Sequence, residues 1–131
     1  MAAIKKTPKV LTVSRQRVEE PPKVTFGFEK LHNVSWTDEK DVRFFKDFMS
    51  HLQKFSAMTW QAIYSAPRHG LGTETLPLSS IKPQIIGIPN EIQKFLVLRA
   101  TGDNHPMVGY RDKDTFQVVF LEAEFGDVYK H

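Results

Sequence analysis

Two groups of residues in this sequence have the types and spacing to do chemistry. The first is Arg68-His69 in the run RHGLGT, where Gly70 and Gly72 loosen the backbone around a guanidinium and an imidazole. Such a pair can clamp a phosphate and move a proton, and loops are where such residues usually work. A solvated loop pair has the same sequence. The second group is Arg99, His105 and Tyr129, dispersed through the last third of the chain. If the elements between them bring them to one edge of a sheet, they form an acid-base and phosphate-binding group. The plainer reading of His105 is a turn histidine left in solvent. Glu122, Glu124 and Asp127 can hold Mg²⁺ together with His105 or His131, but edge-strand protection explains the same acidic cluster more simply. No metal or cofactor is expected. P-loop, GxSxG, HExxH and dinucleotide signatures are all missing from the sequence.

The stretch FLVLRATGDNHPMVGYRDKDTFQVVFLEAEFGDVY, residues 95–129, is the part that must position the second group. It reads as three consecutive antiparallel strands. Residues 95–100 are apolar and end at Thr101-Gly102-Asp103-Asn104, a turn-forming run. Residues 107–111 follow, then the polar connection Asp112-Lys113-Asp114, then the β-rich run 115–122. Alternation puts Phe116, Val118 and Phe120 on one face of that last strand and Val119 and Leu121 on the other, so it should lie inside the sheet with apolar groups on both sides.

Earlier in the chain, Val24, Phe26 and Phe28 alternate with Lys23, Thr25 and Gly27, which predicts a strand over 24–28. Thr37, followed by Asp38 and Glu39, is a plausible N-cap for a helix to about residue 55. Val42, Phe45, Phe48 or Met49, Leu52 and Phe55 form its core stripe. A second, shorter helix spans 58–64 with Thr59 as cap, and Pro67 forces its end near Ala66. Trp36 and Trp60 pack at the helix starts. Residues 67–89 are the least regular part, with 84–88 as an edge strand.

Composition limits the rest. With 131 residues, 40% of them hydrophobic, the chain can bury one sizeable core. It contains no cysteine, which excludes disulfides, thiol catalysis and thiolate metal sites. No apolar run approaches the roughly 18 residues of a membrane span, and the basic N-terminus lacks a signal-peptide core, so no membrane association and a cytoplasmic location are expected. The net charge of +3 is unevenly placed: residues 1–24 hold six basic and two acidic side chains, leaving −1 for the remainder. Residues 1–22 are therefore read as a flexible basic arm and 23–131 as a single α+β domain. Lys5, Lys6, Lys9, Arg15 and Arg17 can contact nucleic-acid phosphates, or simply keep the chain soluble, and Val10-Leu11-Thr12-Val13 is the one piece of the arm suited to a strand.

The order of elements, Arg99 near the end of one strand, Gly109-Tyr110 in the next, the acidic turn, Val118-Val119-Phe120-Leu121 and the closing Asp127-Val128-Tyr129-Lys130 together resemble the RelE/ParE toxin superfamily over about residues 24–131. The resemblance implies two N-terminal helices packed on a twisted antiparallel sheet of four to five strands. It also implies either an endoribonuclease acting on RNA at the ribosome or a relative that binds a protein target, with a cognate neutralising protein as partner. The resemblance places the family's terminal tyrosine at Tyr129 and its basic strand residues near Arg99; joined to the residue reading of His105, His69 and Arg68, this makes Tyr129, His105 and His69 the catalytic candidates, with Arg99 and Arg68 holding RNA and no metal involved. Two departures weaken the cationic set: His105-Pro106-Met107 stands where the family has a strand arginine, and Glu124-Phe125-Gly126 replaces a basic residue before the last turn. Two function classes follow, a toxin-type ribonuclease and a non-catalytic interaction module on the same scaffold that inhibits or regulates a protein. Either works as a monomer or a small homo-oligomer.

Overall fold

A computed structural model of the protein describes residues 21–32, 42–66 and 73–131. Lys5, Lys6, Lys9, Arg15, Arg17, Val10 to Val13, Trp36, Thr37, Arg68 and His69 lie outside the described residues, and so do the roles expected of them. The elements in chain order are β1 (Thr25–Gly27), α1 (Val42–Ser56), α2 (Trp60–Ser65), β2 (Glu74–Pro77), a 3₁₀ turn (Leu78–Ser80), β3 (Lys94–Arg99), β4 (Pro106–Asp112) and β5 (Thr115–Leu121). This is an α+β fold with two helices and five strands in the order β1-β5-β4-β3-β2.

Three expectations need correction. The sheet is mixed, because β1 pairs with β5 in parallel, Phe26 opposite Phe116. The helices follow β1 and do not begin the fold; placing them between β1 and the rest of the sheet supplies the long crossover that a parallel pair requires. Residues 84–88 form no strand, and the edge is instead β2, with Thr75 opposite Leu96.

The β3–β4–β5 meander forms as its sequence pattern dictates, with one change of phase. Gly109 pairs with Val118 and Val108 with Phe120, so Val119 is an extra residue on β5. This bulge reverses the alternation. Phe116, Val118 and Leu121 pack on the helical side with Leu98, Met107, Phe48, Phe55 and Trp60. Val119 and Phe120 both join the opposite core, with Phe95, Val97, Val108 and Tyr129. Phe120 is therefore not on the face it was expected to share with Phe116. A side chain at 109 would meet the Gln117 carbonyl oxygen at 1.9 Å, so only glycine permits the close strand approach here.

In α1 the buried stripe is Phe44, Phe48, His51 and Phe55, at spacings of four, three and four. Val42 and Met49, expected in the stripe, are exposed, and Phe45 and Leu52 pack at its margin. His51 falls within this rotated stripe, and its Nδ1 lies 2.9 Å from the Arg99 carbonyl oxygen. In α2 the Thr59 hydroxyl accepts the Ala62 N–H and the helix ends at Ala66, as the sequence indicates. Trp60 is buried at its start, with the indole N–H on the Asp114 carbonyl oxygen at 2.9 Å.

Among the described residues, no α-helix covers the second face of the sheet. Leu78, Ile81, Ile85, Ile88 and Ile92 recur at helical spacing, yet Pro83, Gly87 and Pro89 prevent a continuous helix, and the segment crosses the core as an irregular cover. The chain end joins it. Ile81 bridges Tyr129, and the Lys82 N–H bonds the Val128 carbonyl oxygen at 2.7 Å.

Candidate functional site

Arg99, His105 and Tyr129 all lie at the end of the sheet where β3 turns into β4. That turn is built locally: the Ala100 N–H bonds the His105 carbonyl oxygen at 2.6 Å, the Asn104 N–H bonds the Thr101 carbonyl oxygen, and Asn104 takes a positive φ of 68°, which asparagine tolerates. Asp47 of α1 accepts the Gly102 N–H at 2.9 Å and ties the turn to the helix.

Arg99 and Tyr129 are in contact, but neither is free. Arg99 is 8% exposed. One of its terminal nitrogens sits 2.5 Å from Glu74 Oε2, and the other reaches the Asn104 carbonyl oxygen at 3.5 Å. The Tyr129 hydroxyl accepts a hydrogen bond from the same guanidinium. Burial raises the Tyr129 phenol above its ordinary pKa, Arg99 opposes that shift, and Glu74 and Glu122 add to it.

His105 is separate from this pair. Its Nδ1 donates to the Glu122 carbonyl oxygen at 3.2 Å, while its ring stacks on Phe125 at 4.2 Å and meets the Phe44 ring edge-on at 5.2 Å. Phe125 also meets His131 at 5.4 Å, and His131 lies 4.3 Å from Tyr129. The sequence-derived candidates are thus joined by a row of rings, His105, Phe125, His131 and Tyr129, and do not converge on one point.

Glu122 organises this end of the fold. It is fully buried, so it protects no edge. Its Oε2 accepts the Val128 N–H at 2.8 Å and the Tyr129 N–H at 3.2 Å, and its Oε1 pairs with His131 Nε2. Among the described residues no group of three or more histidines and carboxylates is placed to hold a metal ion.

Comparison of the chain with protein-family models, curated proteins and solved structures finds no match. The site therefore has to be read from its own chemistry.

Glu74, His51 and Phe125 were not among the sequence-derived candidates, and Glu122 was read there as a metal ligand or an edge guard, not as the buried tie of the 128–129 backbone. The strand-terminal position of Glu122, directly after the apolar run VVFL, was a usable signal for a buried carboxylate. Phe125 was also visible, as an aromatic residue in an otherwise polar turn, and it is 54% exposed. Glu74 had no local signal, because its partner is 25 residues away.

Proposed function

We propose that the protein is a non-catalytic interaction module on a RelE/ParE-like scaffold, which inhibits or regulates a protein partner through the sheet end around Phe125. The observation that carries this reading is the state of Arg99. A guanidinium that is to hold a scissile phosphate must be able to turn its charge toward substrate. Here that charge faces Glu74 at 2.5 Å inside the protein, and the Tyr129 hydroxyl is bound to the same group. Both residues serve the fold. The large hydrophobic side chain that the sheet end offers to solvent is Phe125, backed by His105 and edged by His131. An exposed aromatic ring on a rigid base is the usual form of an interface anchor.

A second reading is favoured by one feature of the same place. Imidazoles on either side of an exposed ring could move protons while a nucleobase stacks on Phe125. In that case the protein acts on RNA or the translation machinery as an endoribonuclease-like toxin, and a cognate protein neutralises it.

Purified protein incubated with translating ribosomes, and a growth assay on cells expressing the chain alone, separate the two. The interaction reading expects intact RNA. It also expects a protein captured by the wild-type chain from nuclease-treated host extract and lost with Phe125→Ala. Cleavage of ribosome-bound RNA by the wild-type chain, abolished by His105→Ala, overturns it in favour of the enzyme.

A further inference from the structure

We infer that His32 is an acid-released latch, fastening residues 83–88 to the 29–32 turn and so holding the cover over the second core. The stereochemistry of its two ring nitrogens carries the inference, which uses none of the residues of the site around Phe125. Nδ1 lies 2.9 Å from the Lys30 carbonyl oxygen, a group that only accepts, so Nδ1 bears the hydrogen. Nε2 lies 3.2 Å from the Ile86 backbone nitrogen, whose N–H only donates, so Nε2 is bare. One neutral tautomer satisfies both contacts. The imidazolium satisfies only the first, because its second N–H would face the N–H of Ile86.

The rest of the residue is anchored, so the side chain is the moving part. The His32 N–H bonds the Val119 carbonyl oxygen of β5 at 2.8 Å, and its ring lies 4.7 Å from that of Phe120. Across from it, Ile86 is 63% exposed and adds little apolar burial, which leaves the polar contact as the tie at that point. A cleft of about 710 Å³ lies between the two segments, bordered by Leu31, His32, Pro83 and Ile86 among others. Protonation at Nε2 makes the Ile86 contact repulsive. Ile85 and Ile88 still pack on the core, so the cover loosens around residue 86 and the cleft widens toward Phe120.

Among the described residues, few charged groups border the latch. Glu29 and Lys30 of the same turn face each other at 3.6 Å. On β4, Tyr110 lies within electrostatic range of both Asp112 and Glu29. The 83–87 wall has no ionisable side chain, and Val119 and Phe120 of β5 are apolar. Among the described residues, the His32 imidazole is thus the ionisable side chain in direct contact with the Ile86 N–H.

The test is amide hydrogen exchange by NMR on the full chain, with rates corrected for intrinsic pH dependence. Protection of the Ile86 amide should fall about tenfold or more between roughly pH 8 and pH 5, the range over which imidazoles change charge. The His32 amide, bonded to Val119, should hold its protection. Ring ¹⁵N shifts should show the hydrogen on Nδ1 at pH 8. His32→Gln, whose amide oxygen can accept from Ile86 at any pH in that range, should remove the pH dependence. The proposal is overturned by Ile86 protection that stays level in the wild-type chain, by the hydrogen residing on Nε2 at pH 8, or by the same acid loss in His32→Gln. Should that variant fail to fold, the wild-type exchange and the tautomer decide the matter.

Discussion

Glu122 holds Tyr129 by its backbone: the buried carboxylate accepts the Tyr129 N–H at 3.2 Å and the neighbouring Val128 N–H at 2.8 Å. This contact fastens the chain end to the sheet, and it carries Tyr129 to Arg99. Glu122→Leu keeps the bulk but removes both acceptor oxygens, which leaves the Val128 and Tyr129 N–H groups without the carboxylate that accepts them. We expect it to cost about 1–3 kcal/mol, the penalty for leaving buried donors unsatisfied. Urea unfolding measures the loss, and hydrogen exchange should show the Val128 and Tyr129 amides losing protection first. A variant as stable as the wild type would mean that the tail is fastened elsewhere.

Gly109 should be the least replaceable glycine. A Cβ there would sit 1.9 Å from the Gln117 carbonyl oxygen, a backbone atom that cannot swing aside. Gly109→Ala is expected to cost more than about 4 kcal/mol, in the range of a broken core. Gly87 has positive φ but open space around it, so Gly87→Ala should cost only about 1–2 kcal/mol. Thermal unfolding of the two variants gives the comparison, and equal losses would contradict the close strand contact.

Phe120 lies in the second core between Phe95, at 6.5 Å, and His32, at 4.7 Å. Phe120→Ala should cost about 3–5 kcal/mol. Denaturant unfolding tests the size, and the site of the damage can be read from exchange. Amides of the 81–92 cover should lose protection more than those of α1, because Phe120 supports the cover and not the helices.

That last distinction marks how far the sequence could be read. Strands 95–100, 107–111 and 115–122 were legible because apolar alternation and turn residues are local signals, and Thr59 announced α2 in the same way. The face of Phe120 was not, because a bulge depends on how two strands approach each other at Gly109 and Gln117. The edge strand was misplaced for a related reason. Residues 84–88 have the stronger β composition, but Glu74–Pro77 has the register with β3 and the carboxylate for Arg99. At the candidate site, strand order was enough to bring Arg99 and Tyr129 together. It could not reveal that Glu74 would neutralise the guanidinium.

Tyr129 gives the protein an alkaline liability whose sign follows from its surroundings. Burial, more than any charge, raises its phenol above the ordinary value. The unfolded chain therefore ionises first, from about pH 10 upward. The stabilising contribution is fully present below that pH and is lost as pH rises through the higher folded value. Tyr110 is raised in the same direction, by burial and then by Asp112 and Glu29. Between pH 8 and 11, Tyr129→Phe should lose stability less steeply than the wild type, and the double variant with Tyr110→Phe less steeply again. Urea midpoints across that range measure the slopes, and identical slopes would show that the phenols are not shielded.

The functional reading is tested most sharply by comparing Phe125 with Arg99. If the sheet end is a docking surface, Phe125→Ala should weaken partner binding by about 2 kcal/mol or more, the usual effect of removing an aromatic anchor. It should leave stability nearly unchanged, since the ring is half in solvent. Arg99→Ala should do the reverse. It removes the guanidinium that faces Glu74 at 2.5 Å and acts on the Tyr129 phenol, so stability falls, while binding by the fraction that stays folded is kept. Calorimetry with the captured partner and thermal unfolding of both variants supply the two axes. A ribonuclease would invert the pattern for Arg99, losing about 10²-fold or more in cleavage by protein that is still folded.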